Sequence, residues 1–215
     1  MLFPRVYAIG AIDFLFANAA SWAQESVDPL LVTMCLPDDC RVPVSQLSTQ
    51  ETHPFRFGFN IVDRNHPRWR EYRSVIDRYT DARDCLLPEE RTNENPDLLA
   101  IDWRRIGPRA GAEICLLRIL STLNVQDAVQ NWLDFHDFDV SGPRPFITRS
   151  YFPESEQPSM WLSATWDEEM LHRQRPSVLY ELFGLSLTTG YGVNIYFMED
   201  GSVYNVKTVG GSTLN

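Results

Sequence analysis

The last part of the chain constrains the fold most, because a turn signal there separates two segments of alternating hydrophobicity. The sequence "GVNIYFMEDGSVYNVKTV" contains the dipeptide Asp200-Gly201, which favours a two-residue type I′ turn. We therefore expect an antiparallel hairpin over residues 193–209 with one apolar and one polar face. The turn predicts the register Glu199–Ser202, Phe197–Tyr204, Tyr196–Asn205, Ile195–Val206, Asn194–Lys207 and Val193–Thr208.

Two further strands are predicted from the hydrophobic pattern. In "FRFGFNIVD" apolar residues occupy every second position, which predicts a strand over 55–63 with one buried face. The segment "MWLSATW", which begins at residue 160, predicts another strand. The polar, proline-containing segments 86–99 and 140–160 are expected to form an exposed loop and a linker or long loop, respectively.

Apolar residues at helical spacing predict three helices, near 66–84, 109–122 and 124–136. Asn65 and Asn124 are the predicted N-caps of the first and the third. The aromatic stripe of the first helix is interpreted as core packing. The predicted fold class is α+β: an antiparallel sheet, including 55–63 and the C-terminal β-hairpin, packed against several α-helices.

The N-terminal segment has the order of features found in a cleavable signal peptide. Arg5 precedes an apolar run that is too short to span a bilayer permanently, and small residues follow it. Cleavage after Ala23 leaves Ser21 and Ala23 at the positions that a signal peptidase reads, and "ANA" at 17–19 is a second possible cut. We therefore expect residues 1–23 to be a signal peptide and residues 24–215 to form one domain in the periplasm or outside the cell.

The charge balance excludes some classes of partner. The formal net charge is −10, and Lys207 is the only lysine among 19 basic residues. Nucleic-acid binding draws most of its affinity from a basic surface, so neither nucleic acid nor an anionic membrane surface is expected as a partner. The preference for arginine is typical of a GC-rich genome, which together with the leader points to a Gram-negative bacterium.

Four cysteines remain after the leader is removed, and an even number in an exported chain favours disulfides. Zinc would require two closely spaced pairs, and a redox pair would show C-x-x-C at the start of a helix. The spacing between the first two is C-x₄-C around a proline turn. Three connectivities are possible for Cys35, Cys40, Cys85 and Cys115; we favour Cys35–Cys40 together with Cys85–Cys115.

One segment resembles half of a calcium-binding loop. Asp137, Asp139 and Ser141, followed by Gly142, copy the first positions of an EF-hand loop, but Thr148 stands where a bidentate glutamate is required. A solvated acidic helix end is the favoured interpretation, and a calcium-dependent module is the weakest of three functional hypotheses. We predict neither a metal nor a cofactor.

The histidines and carboxylates do not identify a catalytic group. His136 lies at the edge of the buried stripe of a predicted helix, where we expect a packed or a surface histidine. His172 stands four residues after Glu168, as a surface pair would. His53 and His66 each precede a proline. The sequence contains no nucleophile elbow, zinc-protease motif or phosphate-binding loop, so the catalytic residues of any enzyme here are unknown.

These observations favour a non-catalytic exported domain that binds a protein or a component of the cell envelope. The exposed edge of the last strand could bind such a partner by β-augmentation. The alternative is an exported hydrolase with a carboxylate/histidine site. A helix followed by a terminal hairpin resembles small periplasmic assembly and adaptor domains, including the BamE-type fold, in architecture without shared motifs, and architecture alone does not define a function.

Overall fold

The computed structural model describes residues 35–36, 39–58, 60–107, 109–147, 157–176 and 188–212. The predicted signal peptide, residues 1–23, lies outside these ranges. The strands are β1 (Cys35–Leu36), β2 (Asp39–Cys40), β3 (Arg56–Phe57), β4 (Asn60–Ile61), β5 (Asp139–Pro145), β6 (Met160–Asp167), β7 (Thr188–Phe197) and β8 (Val203–Ser212). The α-helices are α1 (Trp69–Ile76), α2 (Trp103–Ile106), α3 (Ala110–Leu123), α4 (Gln126–Phe135) and α5 (Glu168–Gln174), and 3₁₀ turns occupy Val44–Gln46 and Ala82–Cys85.

Helix α3 is the centre of the core. Every residue of this helix except Ala110 and Glu113 is buried, so all of its sides are covered by other elements. In water, a helix that is apolar around its whole circumference is stable only when other elements enclose it in this way. α1, α2, α4 and β8 all contact it, so it joins the N-terminal half of the chain to the sheet.

The four longest strands form one antiparallel sheet in the order β5-β6-β7-β8. One face of the sheet, the inner face, packs on the helices. Successive side chains of a strand point to opposite faces, so every second residue of a strand contributes to it. The inner face consists of apolar residues of the last three strands: Leu162, Ala164, Trp166, Val193, Ile195, Phe197 and Val206, all buried. Helices packed against an antiparallel sheet confirm the predicted α+β class.

The C-terminal hairpin has the predicted register over most of its length. Ile195 pairs with Val206, and the predicted pairs of Val193, Asn194 and Tyr196 are also present. Beyond Tyr196 the register shifts, so Phe197 pairs with Val203 and not with Tyr204 as predicted.

The turn itself explains this shift. The N–H of Gly201 donates to the carbonyl of Met198, and the N–H of Met198 donates to the carbonyl of Ser202. Gly201 has a positive φ of 84°. The connection is therefore a three-residue loop ending in glycine, and not the predicted two-residue turn.

The predicted strand over 55–63 is wrong in its extent and in its sheet. The chain reverses at Gly58, whose φ is +56°, and the short strands β3 and β4 pair with each other in a separate two-stranded sheet. The alternation of burial stops at this turn: Phe55 and Val62 are buried, whereas Ile61 is exposed. Glycine tolerates the left-handed conformation that interrupts the strand.

Two of the three predicted helices are confirmed, as α3 and α4. The predicted helix near 66–84 is shorter, because α1 ends at Ile76 and only the 3₁₀ turn Ala82–Cys85 follows it. Both predicted N-caps are wrong. Asn65 lies in a turn before α1, and Asn124 is the left-handed C-cap of α3, while Val125 precedes α4.

The predicted loops also contain ordered structure. Residues 140–145 belong to strand β5 and not to a linker. Residues 86–99 do form turns, but this segment is not exposed throughout, since Leu86 and Leu98 are buried in the core. Arg91 holds the segment by donating to the carbonyl of Leu86 and to the carboxylate of Asp102.

A buried arginine joins α3 to the turn that precedes β3. Arg118 is fully buried, and its guanidinium donates to the carbonyls of Thr49 and His53 and to the side-chain oxygen of Gln50. Burial lowers the pKa of Arg118 to about 10. Three acceptors compensate for the loss of hydration that burial imposes on the charge.

A disulfide bond connects Cys85, in the 3₁₀ turn, to Cys115, in the middle of α3, and confirms that predicted pair. Cys40 is disulfide-bonded as well, and the backbone pairing of the β1–β2 hairpin places it opposite Cys35; the Cys35–Cys40 bond stays a prediction. The ranges that the structure describes contain no free cysteine. In the same ranges, no helix is long and apolar enough to cross a membrane.

Replacing Cys85 and Cys115 together by alanine should lower the free energy of unfolding by about 4 kcal/mol, because the bond closes a loop with a sequence separation of 30. The matched control is the double alanine variant of Cys35 and Cys40, whose predicted bond closes a much smaller loop and should contribute about 2 kcal/mol. Urea unfolding under oxidising conditions measures both. Equal losses in the two variants would contradict the prediction.

Candidate functional site

The residues of the predicted calcium loop are not arranged as a loop. Asp137 lies in a turn with a positive φ of 59°, and Asp139 and Ser141 follow in strand β5. An extended strand spreads these side chains along the sheet, whereas an EF-hand loop wraps its ligands around one ion. No group of three metal-ligating side chains occurs in the part of the chain that the structure describes.

The four histidines belong to four different segments of the chain. His53 is in the turn held by Arg118, and His66 accepts the N–H of Arg68 just before α1. His172 is buried on α5 while Glu168 is exposed, so His172 does not lie at the surface as predicted. His136 is buried among aromatic rings, so it is the packed and not the surface histidine of the two alternatives. A carboxylate/histidine site for a hydrolase stays a prediction.

The outer face of the sheet presents polar side chains from neighbouring strands. The alternation that buries the inner residues turns Ser163 and Thr165 of β6 outward, next to Asn194 of β7. Lys207 of β8 pairs with Asn194 and is exposed. Together these residues form one surface with hydrogen-bonding side chains, which we call the open face. It includes the polar face that was predicted for the hairpin.

A groove of about 320 Å³ crosses the open face where β7 lacks side chains. Gly190 and Gly192 form its floor, and Thr165 and Val209 stand on either side of Gly192 in the sheet register. Ser163, Asn194 and backbone of the neighbouring strand residues complete the lining. Its walls offer hydroxyl and amide groups without a formal charge, so an uncharged, hydrogen-bonding ligand matches the groove chemically.

The edge strand β8 is covered at its centre. The N–H of Thr208 donates to the carboxylate of Glu113 over 3.0 Å, and the hydroxyl of Thr208 lies 3.2 Å from the same oxygen. Burial raises the pKa of Glu113, and the two bonds from Thr208 oppose this shift. Nearby, the guanidinium of Arg56 lies 4.6 Å from the ring centre of Tyr204. The backbone donor at Thr208 is thus already engaged, although an exposed edge at β8 was expected.

The opposite edge strand, β5, contains two residues without an N–H group. Pro143 and Pro145 cannot donate to an added strand, and the pairing with β6 is irregular between Ser141 and Arg144. Prolines and irregular pairing are common means of preventing edge-to-edge association. The open face is therefore a better candidate for a binding surface than either edge.

Beneath the sheet, aromatic side chains from several elements form a cluster centred on Trp103. Its ring centre lies 4.7 Å from that of Trp166 and 5.5 Å from the ring of His136. The indole N–H of Trp166 donates to the carbonyl of His136, but Nε2 of His136 is buried without a partner. Burial lowers the pKa of His136 to about 3.

Comparison of this chain with protein-family models, with curated proteins and with solved structures finds no match.

Sequence reasoning missed both the groove and the aromatic cluster. The groove has a weak sequence signal, namely glycines at alternate positions of a strand, Gly190 and Gly192. Glycine in a strand interior is unfavourable unless backbone or ligand must approach closely. The cluster has no such signal, because its members come from α2, the C-terminal end of α4 and two strands, β6 and β7.

His136 should make the protein sensitive to acid. Its pKa is lowered in the folded state, because the buried ring is neutral there. The protein therefore has its full stability above the unfolded pKa of 6.5 and loses stability as the pH falls towards 3. At pH 5 the loss amounts to about 2 kcal/mol relative to neutral pH. His136→Phe keeps a ring but has no group to protonate, so it should lose less stability than the wild type between pH 7.5 and pH 5.

Urea unfolding of both proteins at the two pH values provides the measurement. An identical loss in the wild type and in His136→Phe would show that His136 is not responsible for the acid sensitivity.

Proposed function

We propose that this chain is an exported, disulfide-stabilised domain of a Gram-negative bacterium that binds a protein or a component of the cell envelope without catalysis. The observation that carries the proposal is the glycine-floored groove on the open face of the sheet. The ligand lies along β7, where Gly190 and Gly192 allow it to approach the backbone. Ser163, Thr165 and Asn194 provide hydrogen-bonding groups.

Two features of the chain, its N-terminal sequence and a disulfide bond, support this location. A basic, apolar and small-residue sequence at the N-terminus is typical of a secretory leader. The Cys85–Cys115 bond supports an oxidising compartment, because disulfides are rare in cytosolic proteins. Both observations favour the periplasm or secretion over the cytoplasm.

Filling the groove should abolish binding without unfolding the protein. Gly192 has no positive φ, and an added Cβ would lie 3.4 Å from the carbonyl oxygen of Val209 and 3.5 Å from the methyl group of Thr165. Gly192→Thr therefore fits the strand while its side chain occupies the groove. We expect the tagged mature protein to capture a discrete partner from envelope extracts and Gly192→Thr to lose that partner at least tenfold.

The matched control is Gly210→Thr. Gly210 pairs with Tyr191, so its side chain would point to the other face of the sheet, and an added Cβ meets nothing within 4 Å. This variant carries the same substitution in a neighbouring strand and should retain the partner. Loss of the partner in both variants, or in neither, would reject the open face as the binding surface.

Export is tested separately. Expression of the full chain in a Gram-negative host should give a periplasmic protein whose first residue is Gln24, because Ser21 and Ala23 precede the predicted cleavage site. N-terminal sequencing of the fractionated protein measures this. A cytoplasmic, uncleaved product would contradict the proposed location.

A further inference from the structure

Only one of the three guanidinium nitrogens of Arg175 has a hydrogen-bond partner. Arg175 caps the C-terminus of α5, and its Nε donates to the carbonyl of Trp103 over 3.1 Å. Both terminal nitrogens of its guanidinium are buried and have no hydrogen-bond partner. Burial lowers the pKa of Arg175. Burying two charged guanidinium nitrogens without acceptors is costly, so something must compensate for it.

Other arginines in the same fold show that acceptors are normally provided. Arg118, although fully buried, has three oxygen acceptors. Arg83 pairs with Asp81 at 2.7 Å, and Arg91 pairs with Asp102 at 3.0 Å. Arg175 forms no ion pair with any residue in the described ranges. The lack of acceptors for the two terminal nitrogens is therefore a property of this site and not of arginines in this protein.

The two aromatic residues next to Arg175 add two more polar groups that have no hydrogen-bond partner. Its guanidinium carbon lies 5.4 Å from the ring centre of Tyr191 and 6.0 Å from that of Trp103. The hydroxyl of Tyr191 and the indole N–H of Trp103 are both buried without partners, and both residues are about 95% buried or more. Two guanidinium nitrogens, a phenol hydroxyl and an indole N–H are therefore buried without partners in one cluster, whose carbonyl acceptor, that of Trp103, is bonded to Nε of Arg175.

We propose that the cluster of Arg175, Tyr191 and Trp103 is a binding site for the carboxylate group of a small ligand. A carboxylate offers two oxygens in one plane, which match the two terminal nitrogens of a guanidinium in a bidentate pair. The remaining lone pairs accept the hydroxyl of Tyr191 and the N–H of Trp103.

The surroundings favour a carboxylate over a phosphate. The two aromatic rings near the guanidinium suit a flat group better than a tetrahedral one, and they suit a ligand whose body is apolar or aromatic. A single negative charge is also compatible with a protein of net charge −10, whereas a doubly charged phosphate would be repelled more strongly. The buried nitrogens require the cluster to open before the ligand enters, so binding is measured at equilibrium.

Thermal unfolding in the presence of benzoate tests the site in the full mature chain. If the site is half-saturated at about 1 mM, 20 mM benzoate should raise Tm by about 5 °C. Benzyl alcohol, which has the ring without the charge, and sodium phosphate at equal ionic strength should leave Tm within about 1 °C of its value in sodium chloride.

Three variants assign the effect to the cluster. Arg175→Met removes the unpaired charge, so the variant should fold at least as stably as the wild type and should not respond to benzoate. Tyr191→Phe keeps the ring but loses the hydroxyl, and its response should be about half that of the wild type. Arg173→Met is the control, because Arg173 is an exposed arginine on the same helix, and its response should be unchanged.

Each result decides the proposal. A rise in Tm with benzoate that disappears in Arg175→Met and persists in Arg173→Met supports it. No rise in the wild type, or an equal rise in Arg175→Met, overturns it, and a rise with phosphate but not with benzoate overturns the carboxylate assignment. If Arg175→Met does not fold, Tyr191→Phe decides: an undiminished response overturns the proposal.

Discussion

The enclosure of helix α3 is the constraint on which the rest of the structure depends. Because nearly all of its surface is apolar, neighbouring elements must cover it on every side. Its polar atoms make the specific connections: Cys115 is bonded to Cys85, Arg118 holds the turn before β3, and Glu113 accepts from Thr208 of the edge strand. One helix thus determines where both halves of the chain pack, and it closes one edge of the sheet.

The elements that the sequence predicts well are those with local signals. The helices α3 and α4 show helical spacing of apolar residues, and four pairs of the C-terminal hairpin follow from alternation around one turn. The strand over 55–63 failed because alternation alone does not reveal a reversal at Gly58. Likewise, Asn124 is suited both to start a helix and to end one in the left-handed conformation, and only the chain's path decides between these roles.

The candidate sites were much harder to predict, for a physical reason. The groove depends on side chains that are missing from one strand and present on its two neighbours, so it exists only when β6, β7 and β8 are paired. The arrangement at Arg175 depends on Trp103 and Tyr191, which are far from it and from each other in sequence. The sequence pattern around Arg175 therefore does not indicate that Trp103 or Tyr191 lies next to it. The motif-like residues Asp137, Asp139 and Ser141, in contrast, are close in sequence and are spread out by the strand they form.

The connections made by α3 also imply an order in time. Cys85 and Cys115 are separated by 30 positions, whereas Glu113 and Thr208 are separated by 95. Because a chain is synthesised with its N-terminus first, both cysteines are available well before the last two strands exist. Oxidation can therefore join α3 to the N-terminal half while the sheet is still incomplete. Until β8 has been synthesised, the apolar side of α3 that it covers is exposed to solvent. During this time the chain is most prone to aggregation.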